Sequence, residues 1–331
     1  MLIQNKNIKL ILNYVAGPLV FCILAYAIYV QIQKQDDWRV SLHNILHVFN
    51  SAEAWKLIAV FLLMFVNWGI ESRKWQISLS QSRKISFKTS FKAIFSGTTM
   101  AFFTPNRIGE YMGRMLHLER KDRLPSIGLT VISSISQLLV TIIVGTIGLL
   151  ILRQKIASAY PTPNVIFWIN LLLYLLGGVS IILTLFYFRF SSMIRWIDRV
   201  PAISRWTRYI RTLESFNATI LLRLLSLSLT RYLVFITQYF LLFNVFGVEL
   251  GWWQSFWSVS VVFLVIAIIP SVAALTELGV RWSTSIEVLH LFSSNTTGIL
   301  AASLAAWIIN LVIPALIGSL LIFGIKFFRS R

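Results

Sequence analysis

Long stretches without a charged side chain constrain this sequence more than any other feature. A helix rises ~1.5 Å per residue, so about 20 apolar residues cross the ~30 Å hydrocarbon core of a bilayer. Stretches free of Asp, Glu, Lys and Arg reach this length repeatedly, and the strongest is 167–188. The predicted full spans are 10–32, 57–70, 124–152, 156–188, 232–248 and 288–325. The pattern predicts an all-α polytopic integral membrane protein with about six full transmembrane helices.

The charges are few and strongly one-sided. Lys and Arg number 30 against 12 Asp and Glu, a formal net charge of +18. A nucleic-acid-binding protein can be this basic, but it would not have 57% apolar residues, so we expect no nucleic-acid partner. The basic residues cluster at alternate ends of the predicted spans, which places the termini and the basic loops in the cytoplasm of a cell (inner) membrane protein. This basic face would lie against an anionic leaflet.

Cofactor and metal signatures do not occur in the sequence. The single cysteine, Cys22, excludes a disulfide framework and a cysteine-based zinc site. No glycine-rich phosphate loop or dinucleotide fingerprint occurs either. We therefore expect neither a cofactor nor a metal.

Two segments do not fit a single crossing of the membrane. Segment 93–106 is flanked by basic residues on both sides, and its ~21 Å of helix is too short to span. Segment 250–295 must leave one side and return to it if the last span ends in the cytoplasm. Pro105 and Pro270 lie within these segments, and proline breaks helices. The sequence thus predicts two broken, re-entrant elements.

The two predicted breaks carry similar residues. They are Pro105, Gly109, Glu110 and Arg114 in the first, and Pro270, Glu277, Gly279 and Arg281 in the second. Each Glu lies four residues before its Arg, on the same helix face. Corresponding interruptions in two halves of a chain indicate a transporter's central site and an inverted repeat. The halves of this single transmembrane domain would be 1–190 and 212–331, joined by a basic amphipathic segment at 189–211. Interfacial salt bridges without a transport role are the alternative.

The chemistry of these residues suits an anionic headgroup. Arg107 and Arg114 are candidates for phosphate binding on the cytoplasmic side, because guanidinium pairs with phosphate bidentately. Glu110 and Glu277 would each balance their Arg when no substrate is bound. Arg231 lies in mid-span and would pass the headgroup between the two breaks; the alternative is that it extends to the interface or pairs with a single Glu.

Glu71 ends an apolar stretch of the sequence. It is interpreted as the start of a basic loop. A proton or ion site is the alternative.

These motifs resemble a known family. The run Thr-Pro-x-Arg-x-Gly-Glu at 104–110, followed by Glu-Leu-Gly-Val-Arg at 277–281, resembles the membrane region of lysylphosphatidylglycerol synthases and its stand-alone flippase-like relatives. In many relatives the second motif contains Pro-x-x-Gly-Gly-x-Gly, which Ala273, Ala274 and Leu275 interrupt here. The synthases carry a soluble aminoacyl-transferase domain after the membrane region, whereas this sequence ends at Arg331. The resemblance implies lipid translocation rather than synthesis, so we expect no enzymatic activity.

Several functions remain open at this stage. The leading hypothesis is a translocase that binds or moves an anionic phospholipid or a polyprenyl-linked headgroup. One alternative is a non-catalytic membrane partner of a separate envelope-lipid glycosyltransferase or synthase. The other is an intramembrane lipid-modifying transferase.

Overall fold

A computed structural model describes residues 26, 53–80, 83–104, 107–197, 216–269 and 274–323 of the 331-residue chain. Side chains are described throughout these ranges except at 190–197, 274–276 and 323. Four features predicted from the sequence lie outside them: the span at 10–32, Pro105, Pro270 and most of the segment at 189–211.

The described chain is helical, with only turns and short loops between the helices. In order, the helices are α1 (Ala54–Leu79), α2 (Phe87–Phe102), α3 (Gly109–Met115), α4 (Arg120–Ala159), α5 (Val165–Ile197), α6 (Ala218–Val245), α7 (Trp252–Ile268), α8 (Ala274–Leu289), α9 (Thr296–Trp307) and α10 (Ile313–Phe323). A π-helical turn, Ile308–Val312, joins α9 to α10 without a break. The predicted all-α class is confirmed.

Five described helices are long and apolar enough to cross a membrane. They are α1, α4, the Val165–Arg189 part of α5, α6 and the continuous Thr296–Ile322 helix. Each overlaps one of the five predicted spans that fall in the described part of the chain, although the bounds differ: α6 begins at Ala218, whereas the predicted span begins at 232. The prediction of a multi-pass membrane protein is therefore confirmed.

Two glycines of the spanning helix α4 let the shorter helix α7 approach it closely. A Cβ on Gly145 of α4 would lie 2.6 Å from Leu264 Cβ of α7, and one on Gly148 would lie 3.1 Å from the Trp257 carbonyl oxygen. Without a hydrophobic drive between helices in lipid, such small residues give van der Waals contact between backbones. The opposite extreme is α5, where Tyr174, Ile181 and Ile182 are strongly exposed, as on a lipid-facing helix.

The first predicted break is a helical hairpin. α2 ends at Phe102, and α3 begins at Gly109 and packs back along α2. Gly113 of α3 lies against Gly97 of α2, so closely that a Cβ on Gly113 would come within 2.6 Å of the Gly97 Cα. Neither helix is long enough to span a bilayer.

One helix also ends and another begins where the second interruption is predicted. α7 ends at Ile268 and α8 begins at Ala274, and the two helices pack on each other. The prediction for Gly279 is corrected, because this residue lies inside the continuous helix α8. Gly109 is a packing residue at the first turn of α3: its N–H donates to Thr104 Oγ1 at 2.7 Å, and a Cβ there would overlap the Met100 carbonyl oxygen.

Candidate functional site

A buried carboxylate, Glu71 of α1, lies between three cations. Its Oε1 accepts a hydrogen bond from Arg114 Nη2 at 2.9 Å, and its Oε2 lies 3.3 Å from Lys74 Nζ and 3.5 Å from Arg231 Nη1. These side chains come from α1, α3 and α6. Lys74 and Arg114 are almost fully buried, with 1% and 2% of their side chains exposed. A buried charge is costly unless it is paired, so Glu71 stabilises this junction of three helices.

The local sequence explains how α1 presents this cluster. Asn67, Glu71 and Lys74 follow the i, i+4, i+7 spacing that lines one face of a helix. All three are buried, while Ile58, Leu62 and Val66 of the same helix are exposed. The helix thus turns a polar stripe inward and apolar side chains outward, the reverse of the arrangement in a water-soluble protein.

Arg231 of α6 connects the Glu71 cluster to a cavity. Its Nε donates to Asn67 Oδ1 at 2.7 Å, and its guanidinium lies 5.3 Å from the Trp68 ring centroid and 5.2 Å from that of Phe235. Guanidinium stacks on aromatic faces more readily than ammonium does, because it is planar and weakly hydrated. These contacts hold Arg231 in place and leave part of it at the cavity wall.

The cavity has a volume of about 60 Å³ and lies between α1, α6, α8 and the α9–α10 helix. A water molecule needs roughly 15 Å³ by this measure, so the space holds about four. Its lining residues are Trp68, Arg107, Arg231, Phe235, Tyr239, Glu277, Arg281, Ala306, Trp307, Asn310 and Leu311. Three of these side chains are cationic and one is anionic, so the wall favours an anion.

Both predicted Glu–Arg pairs are formed. Glu110 pairs with Arg114, and Arg281 Nη2 donates to Glu277 Oε1 at 2.8 Å. Arg281 Nη1 also donates to the Tyr239 hydroxyl at 2.6 Å. The second pair therefore fixes α8 against α6 as well as lining the cavity.

Unpartnered donors add to the character of the cavity wall. Within the described residues, Trp68 Nε1, Trp307 Nε1 and the Nε atoms of Arg107 and Arg281 are buried without a hydrogen-bond acceptor. Indole and guanidinium nitrogens only donate. The side-chain oxygen of Asn310, which also lines the cavity, is a buried acceptor without a donor in the described part of the chain. A ligand that fits this wall would offer acceptor oxygens to the four donors, as a phosphate does, and a donor to Asn310.

The structure rearranges the predicted roles of the arginines. Arg107, which the sequence assigns to the first break, lines the same cavity as Glu277 and Arg281 of the second. Arg114 does not line this cavity, because its ion pairs with Glu71 and Glu110 hold its side chain behind the cavity wall. Arg231 also lines this cavity, and it pairs with Glu71, which is the alternative predicted for it. Of the described residues predicted for the first half-site, Arg107 lines the cavity, whereas Glu110 and Arg114 do not.

Arg107 is unusual in its backbone. Its φ of 59° lies in the left-handed region, which costs a non-glycine residue ~1–2 kcal/mol. Its Nε lies 3.8 Å from Glu110 Oε2, and 40% of its side chain is exposed. Strained residues of this kind cluster at functional sites.

Three polar side chains of this region are not among the site residues that the sequence predicts. Glu71 is the centre of a buried cluster and not the start of a loop, because α1 continues to Leu79. Lys74 lies further along the same helix and is buried as well. Asn310 lies in the π-helical turn, a type of irregularity that often occurs at functional sites. The i, i+4, i+7 spacing of Asn67, Glu71 and Lys74 is the sequence signal that could have identified the first two.

Among the described residues, no group of three His, Cys, Asp or Glu side chains is placed to hold a metal ion. The carboxylates of the Glu71 cluster form ion pairs with lysine and arginine side chains.

Comparison with known proteins agrees with the fold and with the motifs. No curated protein gives a significant match to the sequence. The model of one protein family, described as the lysylphosphatidylglycerol synthase TM region, matches residues 14–318. This range covers nearly the whole chain and includes the Glu71 cluster and the cavity. The chain belongs to the lysylphosphatidylglycerol synthase transmembrane-region family.

Proposed function

We propose that this protein is a lipid translocase that binds the anionic headgroup of a phospholipid or polyprenyl-linked lipid in the cavity between its two broken segments. One observation carries the proposal: Arg107, Arg231 and Arg281 converge on a cavity whose described lining contains a single carboxylate, Glu277. Buried charges at membrane depth are expensive and are retained mainly where they act on ions or substrates. The family assignment supports a role in lipid synthesis or flipping.

The geometry supports a stepwise transfer of the headgroup. A phosphate would replace Glu110 as the partner of Arg107 and would accept from the unpaired donors of the wall. Bidentate pairing with guanidinium would substitute for lost hydration. Because the cavity holds only about four waters, a headgroup enters only if the wall moves. The elements proposed to move are the α2–α3 hairpin and the α7–α8 pair, whose helices are each too short to span the bilayer. As re-entrant segments, the two pairs would open to opposite sides of the membrane.

The proposed orientation places both termini in the cytoplasm of the cell membrane, following the basic loops. The acyl chains would stay in the bilayer beside the cavity. The proposal requires no catalytic step, because each carboxylate of the site is engaged by a cation. An intramembrane transferase would need one of them as a free base.

Transport by the purified protein is the test. Vesicles of phosphatidylcholine containing fluorescent phosphatidylglycerol would be reconstituted with the wild type, Arg107→Ala and Lys121→Ala, and translocation followed by dithionite quenching. Lys121 is a matched control, a cation with 75% of its side chain exposed at a helix end. We expect accelerated translocation in the wild type and the control, and the loss of most of it in Arg107→Ala.

Equal rates in wild-type vesicles and protein-free vesicles would contradict translocation. Glu110→Ala is also expected to abolish transport, but it removes a partner of the buried Arg114 and therefore affects folding. Arg107→Ala is the cleaner variant. Recovery of a stoichiometric envelope-lipid enzyme on gentle purification, combined with inactivity of the isolated chain, would favour the scaffold alternative.

A further inference from the structure

The Glu71 cluster contains more positive than negative charge. Among the described residues, Glu71 and Glu110 are the two carboxylates that form ion pairs with Lys74, Arg107, Arg114 and Arg231. With every group ionised, these six side chains carry a net charge of +2. Because 40% of the Arg107 side chain is exposed, the five more buried groups carry a net charge of +1. Uncompensated charge at such depth costs several kcal/mol, so the loss of a proton by one of the cations would lower the free energy of the cluster.

Lys74 is the cation that can do so. Arginine stays protonated in proteins, whereas a buried lysine readily gives up its proton. The side chain of Lys74 is 1% exposed, and its one described hydrogen bond goes to Glu71 Oε2. That same oxygen also lies 3.5 Å from Arg231 Nη1. Glu71 is thus shared, and Lys74 has no carboxylate of its own.

In the described part of the chain, Glu71 is the one carboxylate that forms an ion pair with Lys74. The charged groups that face it are Glu71 on its own helix, Arg114 on α3 and Arg231 on α6. The helices α2 and α4 also pack on α1, and their described hydrogen bonds to the neighbours of Lys74 involve uncharged groups. The Ser90 hydroxyl donates to the Ser72 carbonyl oxygen, and the Thr130 hydroxyl accepts from Trp75 Nε1. The compensation of the Lys74 charge therefore depends on whether an anion lies at Arg231.

We propose that Lys74 takes up a proton when an anionic headgroup binds in the cavity and releases it when the headgroup leaves, so that headgroup transport is coupled to protons. This inference rests on the proposed function. An anion at Arg231 and Arg107 supplies the negative charge that the cluster lacks, and it draws Arg231 away from Glu71. Glu71 Oε2 then serves Lys74 alone, and the ammonium form is stabilised.

Binding calorimetry tests the coupling directly. Dioctanoyl-phosphatidylglycerol would be titrated into detergent-solubilised protein in buffers of different ionisation enthalpy, which yields the number of protons exchanged per ligand. We expect the wild type to take up about one proton, and its affinity to fall up to tenfold per pH unit as the pH rises through the coupled range. Lys74→Arg, which keeps the charge but cannot release a proton, is expected to bind with no proton uptake and with an affinity independent of pH.

Lys56→Arg is the matched control. Lys56 is on the same helix and pairs with Glu53 at the same i,i+3 spacing, but 19% of its side chain and 43% of that of Glu53 are exposed. It is expected to behave like the wild type. Saturable wild-type binding without proton uptake overturns the coupling and leaves the proposed function standing, and this result depends on no variant. Proton uptake that persists in Lys74→Arg also overturns it. Absence of saturable binding in the wild type, or unchanged binding in Arg107→Ala, overturns the proposed function and the coupling with it.

Discussion

The Glu71 carboxylate accepts a hydrogen bond of 2.9 Å from Arg114, although 43 residues separate them in the sequence. This contact joins α1 to α3, the short second arm of the hairpin. Arg114 also pairs with Glu110 one helical turn before it. The pair that the sequence predicts within α3 is therefore anchored to a spanning helix by a third charge, and the position of the hairpin depends on it.

Removing Glu71 should destabilise the fold. Glu71→Gln leaves Lys74 and Arg231 without a carboxylate partner and takes one from Arg114, and breaking a buried ion pair from one side costs about 3–5 kcal/mol. Thermal unfolding in detergent measures the loss. Glu119→Gln is the control: Glu119 pairs with Arg83, but 57% of its side chain is exposed, so the change should stay within about 1 kcal/mol. Equal stability of the two variants would contradict a structural role for Glu71.

Two variants of Arg107 separate its backbone strain from its side-chain role. Glycine tolerates the φ of 59° that strains other residues, so Arg107→Gly should be more stable than Arg107→Ala by about 1 kcal/mol. Both variants lack the guanidinium and should lose phosphatidylglycerol binding equally. Unfolding in detergent and ligand titration of the same preparations check this. If the alanine variant proved the more stable, the left-handed conformation would be wrong.

The close contact of α2 and α3 should reject any side chain at Gly113. In Gly113→Ala the new methyl group meets the Gly97 backbone at 2.6 Å and the Ser96 carbonyl even more closely, which predicts a loss of about 1–3 kcal/mol. Because Arg114 is the next residue, translocation should fall as well. Gly178→Ala is the control, since a Cβ there meets nothing within 4 Å. That change should raise stability by up to about 1 kcal/mol, through helix propensity.

The turn after α3 should respond to acid through His117. This residue lies outside the five spans, and its ring hydrogen-bonds the Ser96 hydroxyl of α2 at 2.8 Å. Burial, with a smaller contribution from the Lys92 charge, lowers the pKa of His117 from 6.5 to about 4. The unfolded chain therefore binds a proton that the folded protein rejects between those values, and stability should fall as the pH is lowered from 6.5 to 4.

His117→Gln keeps a hydrogen-bonding side chain but does not titrate. Its unfolding temperature in detergent should vary less with pH over this interval than that of the wild type. His290→Gln, at an exposed position bonded to Thr296, serves as the control and should retain the wild-type dependence. A wild-type profile in His117→Gln would show that another group titrates.

The sequence alone determined the membrane class and the five described spans, and it predicted the two Glu–Arg pairs that the structure contains. These follow from local properties, namely the length of apolar stretches and the i,i+4 geometry of a helix. Gly279 marks the limit of such reasoning, because a glycine in a helical stretch lies at a break or inside the helix depending on its neighbours. Here it lies inside α8.

Only the tertiary structure decided which charges share one environment. Glu71 meets Arg114 and Arg231 because α1, α3 and α6 pack together, and Arg107 joins Arg281 at one cavity because the two broken segments converge. The cost of a buried charge depends on partners distant in the sequence, and helix periodicity specifies only which face a residue occupies, not what that face meets. Lys74 follows the predicted span at 57–70 and adjoins Arg73 in the sequence, yet it is a buried cation in the folded protein.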